Sequence, residues 1–257
     1  MMQENNSYTA EGFYEELRKR FLELLKEEGL LLENVSLTTK SLTAEEAIGI
    51  TRRKDFPIIA GKDVMVQAEC KGAKGQAFTD APTVFKGTLE DVCNLDLESD
   101  SHNRGIFIAA LNAVMGYIGK CACTVHCRNE GPELCSFDVL EYVKKNYGCP
   151  KIGLIGYQPS MLERLSSELN VRVCDLNNAN IGQERYGVMV EDGGKDGVWQ
   201  DICDWADLVL CTGSTVCNGT IVNFIPYKDK TLFFGTTLAG AAVLMDLPRL
   251  CFADRYQ

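Results

Sequence analysis

Lys151-Ile152-Gly153-Leu154-Ile155-Gly156-Tyr157-Gln158-Pro159-Ser160 is the stretch that decides the fold. Ile152 to Ile155 is a short apolar strand, Gly156 to Ser160 a turn, and a helix runs on to Leu169. The same grammar repeats downstream. Val171 to Leu176 reads as a strand, Val188 to Val190 as a short one, and Val198 to Ala206 as a helix. Leu208 to Cys211 is a strand, followed by a Gly/Ser/Thr turn and a short helix near Ile221 to Ile225. Thr231 to Phe234, a helix over Leu238 to Met245, and a last strand over Leu250 to Phe252 complete it. Continuous apolar strands separated by helices are the mark of a parallel sheet covered on both faces, here a Rossmann-like α/β domain.

Upstream the periodicity is mixed. Phe13, Leu17, Phe21, Leu24 and Leu25 fall at helical spacing over Ala10 to Glu28. Val35 and Leu37 alternate with Ser36 and Thr38, and Val64, Val66 and Ala68 alternate with Asp63, Met65 and Gln67, which predicts two strands. Gly75 to Pro82 reads as a turn-rich segment. Ser101 is placed to cap a helix in which Ile106, Ala109, Ala110, Ala113, Val114 and Tyr117 share one face. Strands early and helices later predict an N-terminal α+β domain. A loop rich in Cys and Gly spans Gly119 to Cys135, and Ser136 is the expected cap of a helix that ends at Gly148-Cys149-Pro150. That helix could pack on either domain; grouping it with the downstream strands divides the chain into domains 1–135 and 136–257.

Bulk chemistry removes several function classes. The net charge of −10 and the lack of a basic stripe beyond Arg52-Arg53-Lys54 argue against nucleic acid as a partner. No apolar run is long enough to span a membrane, and Met1 to Glu16 has no signal-peptide pattern, so a cytoplasmic protein is expected. Two histidines, His102 and His126, and no G-x-S-x-G elbow disfavour a serine-hydrolase triad. Twelve cysteines are too dilute for a disulfide scaffold. Cys174, Cys203, Cys211 and Cys251 sit in apolar segments, where packing explains them.

In a parallel sheet the right-handed crossovers bring every strand-to-helix turn to one carboxyl edge. Three such turns share a character: Gly156 to Ser160, Thr212-Gly213-Ser214-Thr215 continuing through Asn218-Gly219-Thr220, and Gly235-Thr236-Thr237 with Ala239-Gly240 behind. Each alone is ordinary helix capping and turn chemistry. Together they predict a site for an anionic or polar small molecule, in which Gly156, Pro159, Thr212, Gly213, Ser214, Thr215, Asn218, Thr220, Gly235, Thr236 and Thr237 contribute. A dinucleotide fingerprint is only half present. Gly153 and Gly156 are three apart and proline stands in the last glycine's place, although Asp175 ends the second strand where an acid would meet a ribose.

Cys121, Cys123, His126, Cys127 and Cys135 put four thiols and an imidazole in one loop. These are soft ligands suited to zinc, iron or another soft transition metal, although the usual C-x2-C pair is missing and core packing is the alternative. In the first domain Asp80 could serve as a metal ligand or base and Arg104 as an anion clamp, with Asn112 on the same helix; a turn-forming Asp and a surface Arg are the plainer readings.

Ile155 to Pro159, the Thr212 to Thr220 run and Phe234 to Ala241 together resemble the heavy-metal-chelation family, whose function is itself unassigned. Gly75 to Pro82, Asn103-Arg104-Gly105 and Ala110 to Ala113 resemble that family's companion N-terminal domain, so the likeness covers nearly the whole chain. Thr124 to Cys127 with Cys135 shares it, whereas Cys121 and Cys123 fall outside it. The resemblance implies an enolase-N-terminal-like domain followed by a Rossmann-like domain, with the site in the cleft between them. It also implies a role in metal handling or in making a chelating flavin- or pterin-like molecule. Two functions therefore stand ahead of a third, a structural or assembly partner in which the cysteines merely pack. One is a metal-handling protein binding a metal or metal–ligand complex in the cleft. The other is an enzyme acting on a phosphorylated, nucleotide-, flavin- or pterin-like molecule, for which the residues single out no catalytic group. A homodimer is the default assembly for a soluble protein.

Overall fold

The computed structural model describes residues 10–37, 42–50, 53, 55–56, 64–81 and 84–256. Expectations placed on Thr38, Arg52, Lys54, Asp63 and Pro82, and on the first nine residues, lie outside them. The first half runs α1 (Ala10–Glu27), β1 (Asn34–Leu37), α2 (Ala44–Ile48), β2 (Val64–Cys70), β3 (Ala73–Thr79), β4 (Phe85–Thr88), α3 (Leu89–Cys93) and α4 (Ser101–Tyr117). The second half runs α5 (Gly131–Tyr147), β5 (Ile152–Ile155), α6 (Pro159–Ser166), β6 (Val171–Asp175), β7 (Glu184–Arg185) and β8 (Val188–Asp192). It continues with α7 (Val198–Trp205), β9 (Leu208–Thr212), α8 (Thr215–Asn218), β10 (Thr231–Phe234), α9 (Ala239–Leu244) and β11 (Arg249–Leu250).

Among the described residues the strands form two sheets, one ordered β3-β2-β1-β4 with antiparallel pairs and one ordered β11-β10-β9-β5-β6-β8-β7. The second is parallel except for the β7–β8 edge hairpin. The mixed α/β class read from the sequence is therefore present. Among the described residues no helix is long and apolar enough to cross a membrane.

α4 explains how the halves meet. Every side chain or backbone position from Arg104 to Met115 is buried, rather than one face as its spacing suggested. A helix apolar all round must be covered all round. One side lies on β2 and β3, and the other on α8 and α9. Gly75 makes the first contact possible. A Cβ there would lie 2.1 Å from the Ala113 nitrogen and 2.3 Å from the Ala109 oxygen. Gly75 to Thr79 is thus strand, not turn, and the turn begins only at Asp80. One continuous cluster of buried side chains runs from Phe13, Leu17 and Phe21 of α1 through α4 to Val209, Cys211 and Phe233 on one face of the parallel sheet. A second cluster on the opposite face joins Val139, Leu140 and Val143 of α5 to Leu154, Leu162 and Leu210.

Two helix starts differ from expectation. Asp100, not Ser101, caps α4, its carboxylate accepting the His102 N–H at 2.8 Å. α5 begins at Gly131 with Pro132 in its first turn, five residues ahead of Ser136, whose hydroxyl donates to the Glu133 carbonyl. Proline suits that position because the amide hydrogen it lacks would have no helical partner there. Cys135 consequently sits on a helix rather than in a loop. β11 ends at Leu250, so Cys251 has left the strand and faces the cysteine loop instead of the sheet core.

Candidate functional site

Strand order reverses direction between β5 and β9: from β5 the chain moves outward through β6 and β8, then returns to β9 and proceeds through β10 to β11. The crevice outside the carboxyl ends of strands at such a point is where open α/β sheets bind ligands. A cavity of about 570 Å³ lies there. Its floor is the three turns read from the sequence, and its roof comes from Ile48, Phe56, Phe78, Thr79 and Asp80 of the first half.

The turns are held by their own hydrogen bonds. Gly156 takes φ +90°, and a Cβ there would strike the Thr212 methyl group at 2.6 Å, so the β5 and β9 turns touch only because the residue is glycine. The Asp175 carboxylate accepts the Tyr157 N–H at 2.7 Å and the Asn177 N–H at 2.6 Å. Thr215 Oγ1 donates to the Thr212 carbonyl, Thr220 Oγ1 to Asn218 Oδ1, and Thr237 Oγ1 accepts the Phe78 N–H at 3.0 Å from the other half of the chain.

Among the described residues two hydroxyls are left over. Thr236 Oγ1 and the Tyr157 hydroxyl are buried without a hydrogen-bond partner, and both residues border the cavity. The Tyr186 hydroxyl is close to that of Tyr157, so Thr236 is the clearer of the two. Burying an unpaired hydroxyl costs about 1–3 kcal/mol, so such groups call for an explanation, and a bound polar ligand supplies one.

Another wall of the cavity carries sulfur. Cys127, Cys135 and Cys251 border the cavity beside His126. The Cys127 and Cys135 thiols pair, as do those of Cys123 and Cys251; in each pair thiol–thiol hydrogen bonding pushes the first up and holds the second below the usual thiol value. His126 Nδ1 lies 2.6 Å from the Cys127 carbonyl. A carbonyl can only accept, so Nδ1 carries the proton and the neutral ring keeps its lone pair on Nε2. Burial holds the imidazole below its ordinary pKa, against the opposing pull of that carbonyl. Gln76 positions the loop, its side-chain oxygen accepting the His126 N–H at 2.8 Å while its own backbone N–H donates to the Thr124 carbonyl. Arg249 reaches from β11 to the Gly235 carbonyl with Nε and to the Cys123 carbonyl with Nη2.

The structure gathers most of the sequence-predicted residues. Asp80, Gly156, Asp175, Thr212, Gly213, Ser214, Thr215, Asn218, Thr220, Gly235, Thr236, Thr237, His126, Cys127 and Cys135 all border the one cavity. Pro159, Arg104, Asn112, Cys121 and Cys123 do not. Arg104 is buried and donates to the carbonyls of Cys217, Leu97 and Glu98, which fastens α4 to α8. Cys121 packs against the main core, and burial pushes its thiol up to about 11. Tyr157, Cys251, Trp199 and Phe224 border the cavity without having been singled out; Tyr157 could have been, since it occupies the β5 turn itself.

Residues 138–245 match the model of the family described as "Putative heavy-metal chelation". The match spans this segment alone, less than half of the chain. Two solved structures, each described as a protein of unknown function from the same family, share the fold. The one from Pyrococcus horikoshii has a TM-score of 0.54 at 16% identity, covering 88% of this chain and 79% of its own. The one from Desulfitobacterium hafniense has a TM-score of 0.52 at 12% identity, covering 91% and 83%. No curated protein matches. The donor set fits the family's description only in part. Among the described residues no group of three or more His, Cys, Asp or Glu side chains is arranged to hold a single metal ion. The thiols and imidazole on the cavity wall are nonetheless the donor types a soft metal takes.

Proposed function

We propose that this is a metal-handling protein whose cleft takes a soft metal together with an organic or anionic partner. One observation carries the reading: the strand-end turns and the sulfur wall border the same cavity. In this reading the turns and the two unpaired hydroxyls hold the organic part, and the thiols hold the metal. His126 Nε2 is a further donor, its ring oriented by the Nδ1–H bond to a backbone carbonyl as in many metal sites.

The test is elemental analysis of untagged protein purified without oxygen, alongside Cys127→Ser. Near-stoichiometric soft metal in the wild type and its loss in the variant support the reading. Metal that Cys127→Ser retains in full removes it.

A second reading has its own support. Phe78, Tyr157, Trp199, Phe224 and Phe234 border the cavity, a lining suited to a flat heteroaromatic ring. We infer that an enzyme acting on a flavin-, pterin- or nucleotide-like molecule is the alternative. Tight binding of one such compound by metal-free protein, undiminished in Cys127→Ser, would favour it over the first.

A further inference from the structure

We propose that the cleft takes an uncharged heteroaromatic molecule of base or nucleoside type and turns away its phosphorylated form. This rests on the reading, common to both functions above, that the strand-end turns hold an organic group, and it assigns that group its charge. Open α/β sheets that bind phosphate do so at a strand-end turn whose free backbone N–H groups point at the anion. Here those groups are already used. Gly156 N–H donates to the Cys174 carbonyl at 2.9 Å, and Tyr157 N–H to the Asp175 carboxylate at 2.7 Å. In the β9 turn Gly213 N–H donates to the Phe234 carbonyl at 2.8 Å, Ser214 N–H to Thr212 Oγ1, and Thr220 N–H to Asn218 Oδ1. At the start of α6, Pro159 has no N–H and that of Met161 is held by the Gln158 side chain.

Asp175 decides the sign of the charge. Its carboxylate stands on the turn N–H that a phosphate would need, so the place of an anion is filled by one of the chain's own. A second carboxylate, Asp80, borders the same cavity from the first half of the chain. Among the described residues that border it there is no lysine or arginine, and burial holds the His126 imidazole below its ordinary pKa. Arg53 and Arg185 lie beyond Tyr157. Arg53 is held by Asp55, Glu133 and Glu163, and Arg185 stands on the edge hairpin outside the lining. A phosphate bound in the cleft would shed water, meet two carboxylates and find no cation, which is the costly way to bury charge. An uncharged ring meets no such cost. Phe78, Tyr157, Trp199, Phe224 and Phe234 offer it aromatic faces and edges. Thr236 Oγ1, buried and without a partner, offers a ring N–H or amino group an acceptor, as do the carboxylate oxygens of Asp80 and Asp175, each able to accept more than one bond. The ligand is thus recognised by donors on its rim rather than by an anionic tail.

The experiment titrates the metal-free full chain calorimetrically with adenosine, guanosine and riboflavin, each beside its monophosphate, and with inorganic phosphate and pyrophosphate. The expected result is binding of at least one unphosphorylated compound, with its monophosphate weaker by about tenfold or more. Neither inorganic anion should bind. Asp80→Asn, at an exposed carboxylate, should narrow the gap between parent and monophosphate severalfold. Asp175→Ala should narrow it further and admit inorganic phosphate, because it frees the Tyr157 and Asn177 N–H groups as well as removing the charge. Circular dichroism reports whether Asp175→Ala is folded; Asp80→Asn and the wild-type titrations test the proposal even if it is not. A monophosphate that binds as tightly as its parent, or inorganic phosphate bound by the wild type, overturns the proposal and leaves the turns as a site for an organic group. A gap unchanged in both folded variants also overturns it, since the discrimination would then be steric. If none of these compounds binds, the reading of the turns as an organic site falls and the proposal with it.

Discussion

Asn112 Oδ1 accepts the backbone N–H of Gly240 at 2.7 Å, joining α4 to the start of α9 across 128 positions of sequence. Its Nδ2 donates at 2.9 Å to the carbonyls of both Gln76 and Thr237. One fully buried amide thereby fixes strand β3, helix α4 and the β10 turn to one another. Asn112→Leu, of similar volume, leaves a buried N–H and two buried carbonyls unpaired. At about 1–3 kcal/mol per orphaned group, with partial relaxation, a loss of about 3–5 kcal/mol is expected. Urea denaturation reads it as a lower midpoint with an unchanged slope. A loss under about 1 kcal/mol would mean the amide does not join the two halves.

The contact beneath that amide gives a sharper contrast. A Cβ on Gly75 would lie 2.1 Å from one backbone atom of α4 and 2.3 Å from another, so Gly75→Ala cannot be absorbed by a rotamer change. Overpacking typically costs about 1–3 kcal/mol, and a clash with backbone belongs at or above the top of that range. Gly72, at φ +81° in the adjacent hairpin, has nothing within 4 Å. Gly72→Ala should therefore cost only the left-handed strain, about 1–2 kcal/mol. Thermal unfolding of the two variants should rank Gly75→Ala well below Gly72→Ala.

These joints also mark the limit of what the residue order conveys. The parallel strands are legible because each is a short apolar run bounded by its own turn, a local signal that burial on both faces reinforces. The cavity floor is legible for the same reason, since right-handed crossovers put every β-to-α turn on one edge. Cys251 was not legible as part of the sulfur wall: its neighbours in sequence are apolar, and only the pairing of β11 with β10 carries it to Cys123. Arg104 and Asn112 were not legible as joints, because the carbonyls they bind lie as much as 125 positions away. Gly75 looked like a turn glycine because strand and turn use glycine alike; a helix lying against the strand distinguishes them.

His126 makes stability depend on pH. Burial holds its folded-state pKa below the ordinary value, while in the unfolded chain it titrates near about 6.5. Above that pH neither state is protonated and the residue contributes no slope. As pH falls below it, the unfolded chain takes up a proton that the folded one refuses, so stability drops, by at most about 1.4 kcal/mol per pH unit, until the folded pKa is reached. Carboxylates add their own acid dependence, which His126→Gln leaves in place. Denaturant midpoints measured between about pH 5 and 8 should fall more steeply toward acid in the wild type than in the variant. Superposable profiles would show that the ring titrates alike in both states.

Thr236 and Thr237 are adjacent, equally buried and at the same strand end, yet they differ in what their hydroxyls do. Thr237 Oγ1 accepts the Phe78 N–H at 3.0 Å, whereas Thr236 Oγ1 has no partner and borders the cavity. Thr237→Val should destabilise by about 1–3 kcal/mol, because the half-buried Phe78 N–H is orphaned. Thr236→Val should leave stability unchanged or raise it by up to about 1 kcal/mol, since an unpaired polar atom is replaced by a methyl group. Ligand binding should show the reverse order. If the hydroxyl is held in reserve for the occupant of the cleft, Thr236→Val loses about one hydrogen bond's worth of affinity, roughly 5- to 10-fold. Tyr157→Phe should behave in the same way, for the same reason. Calorimetric titration with a flavin, a pterin and a nucleotide, beside thermal unfolding of the same preparations, measures both halves. A Thr236→Val protein that is plainly destabilised would mean the hydroxyl already has a partner in the folded chain, and that the cleft holds no group in reserve at this position.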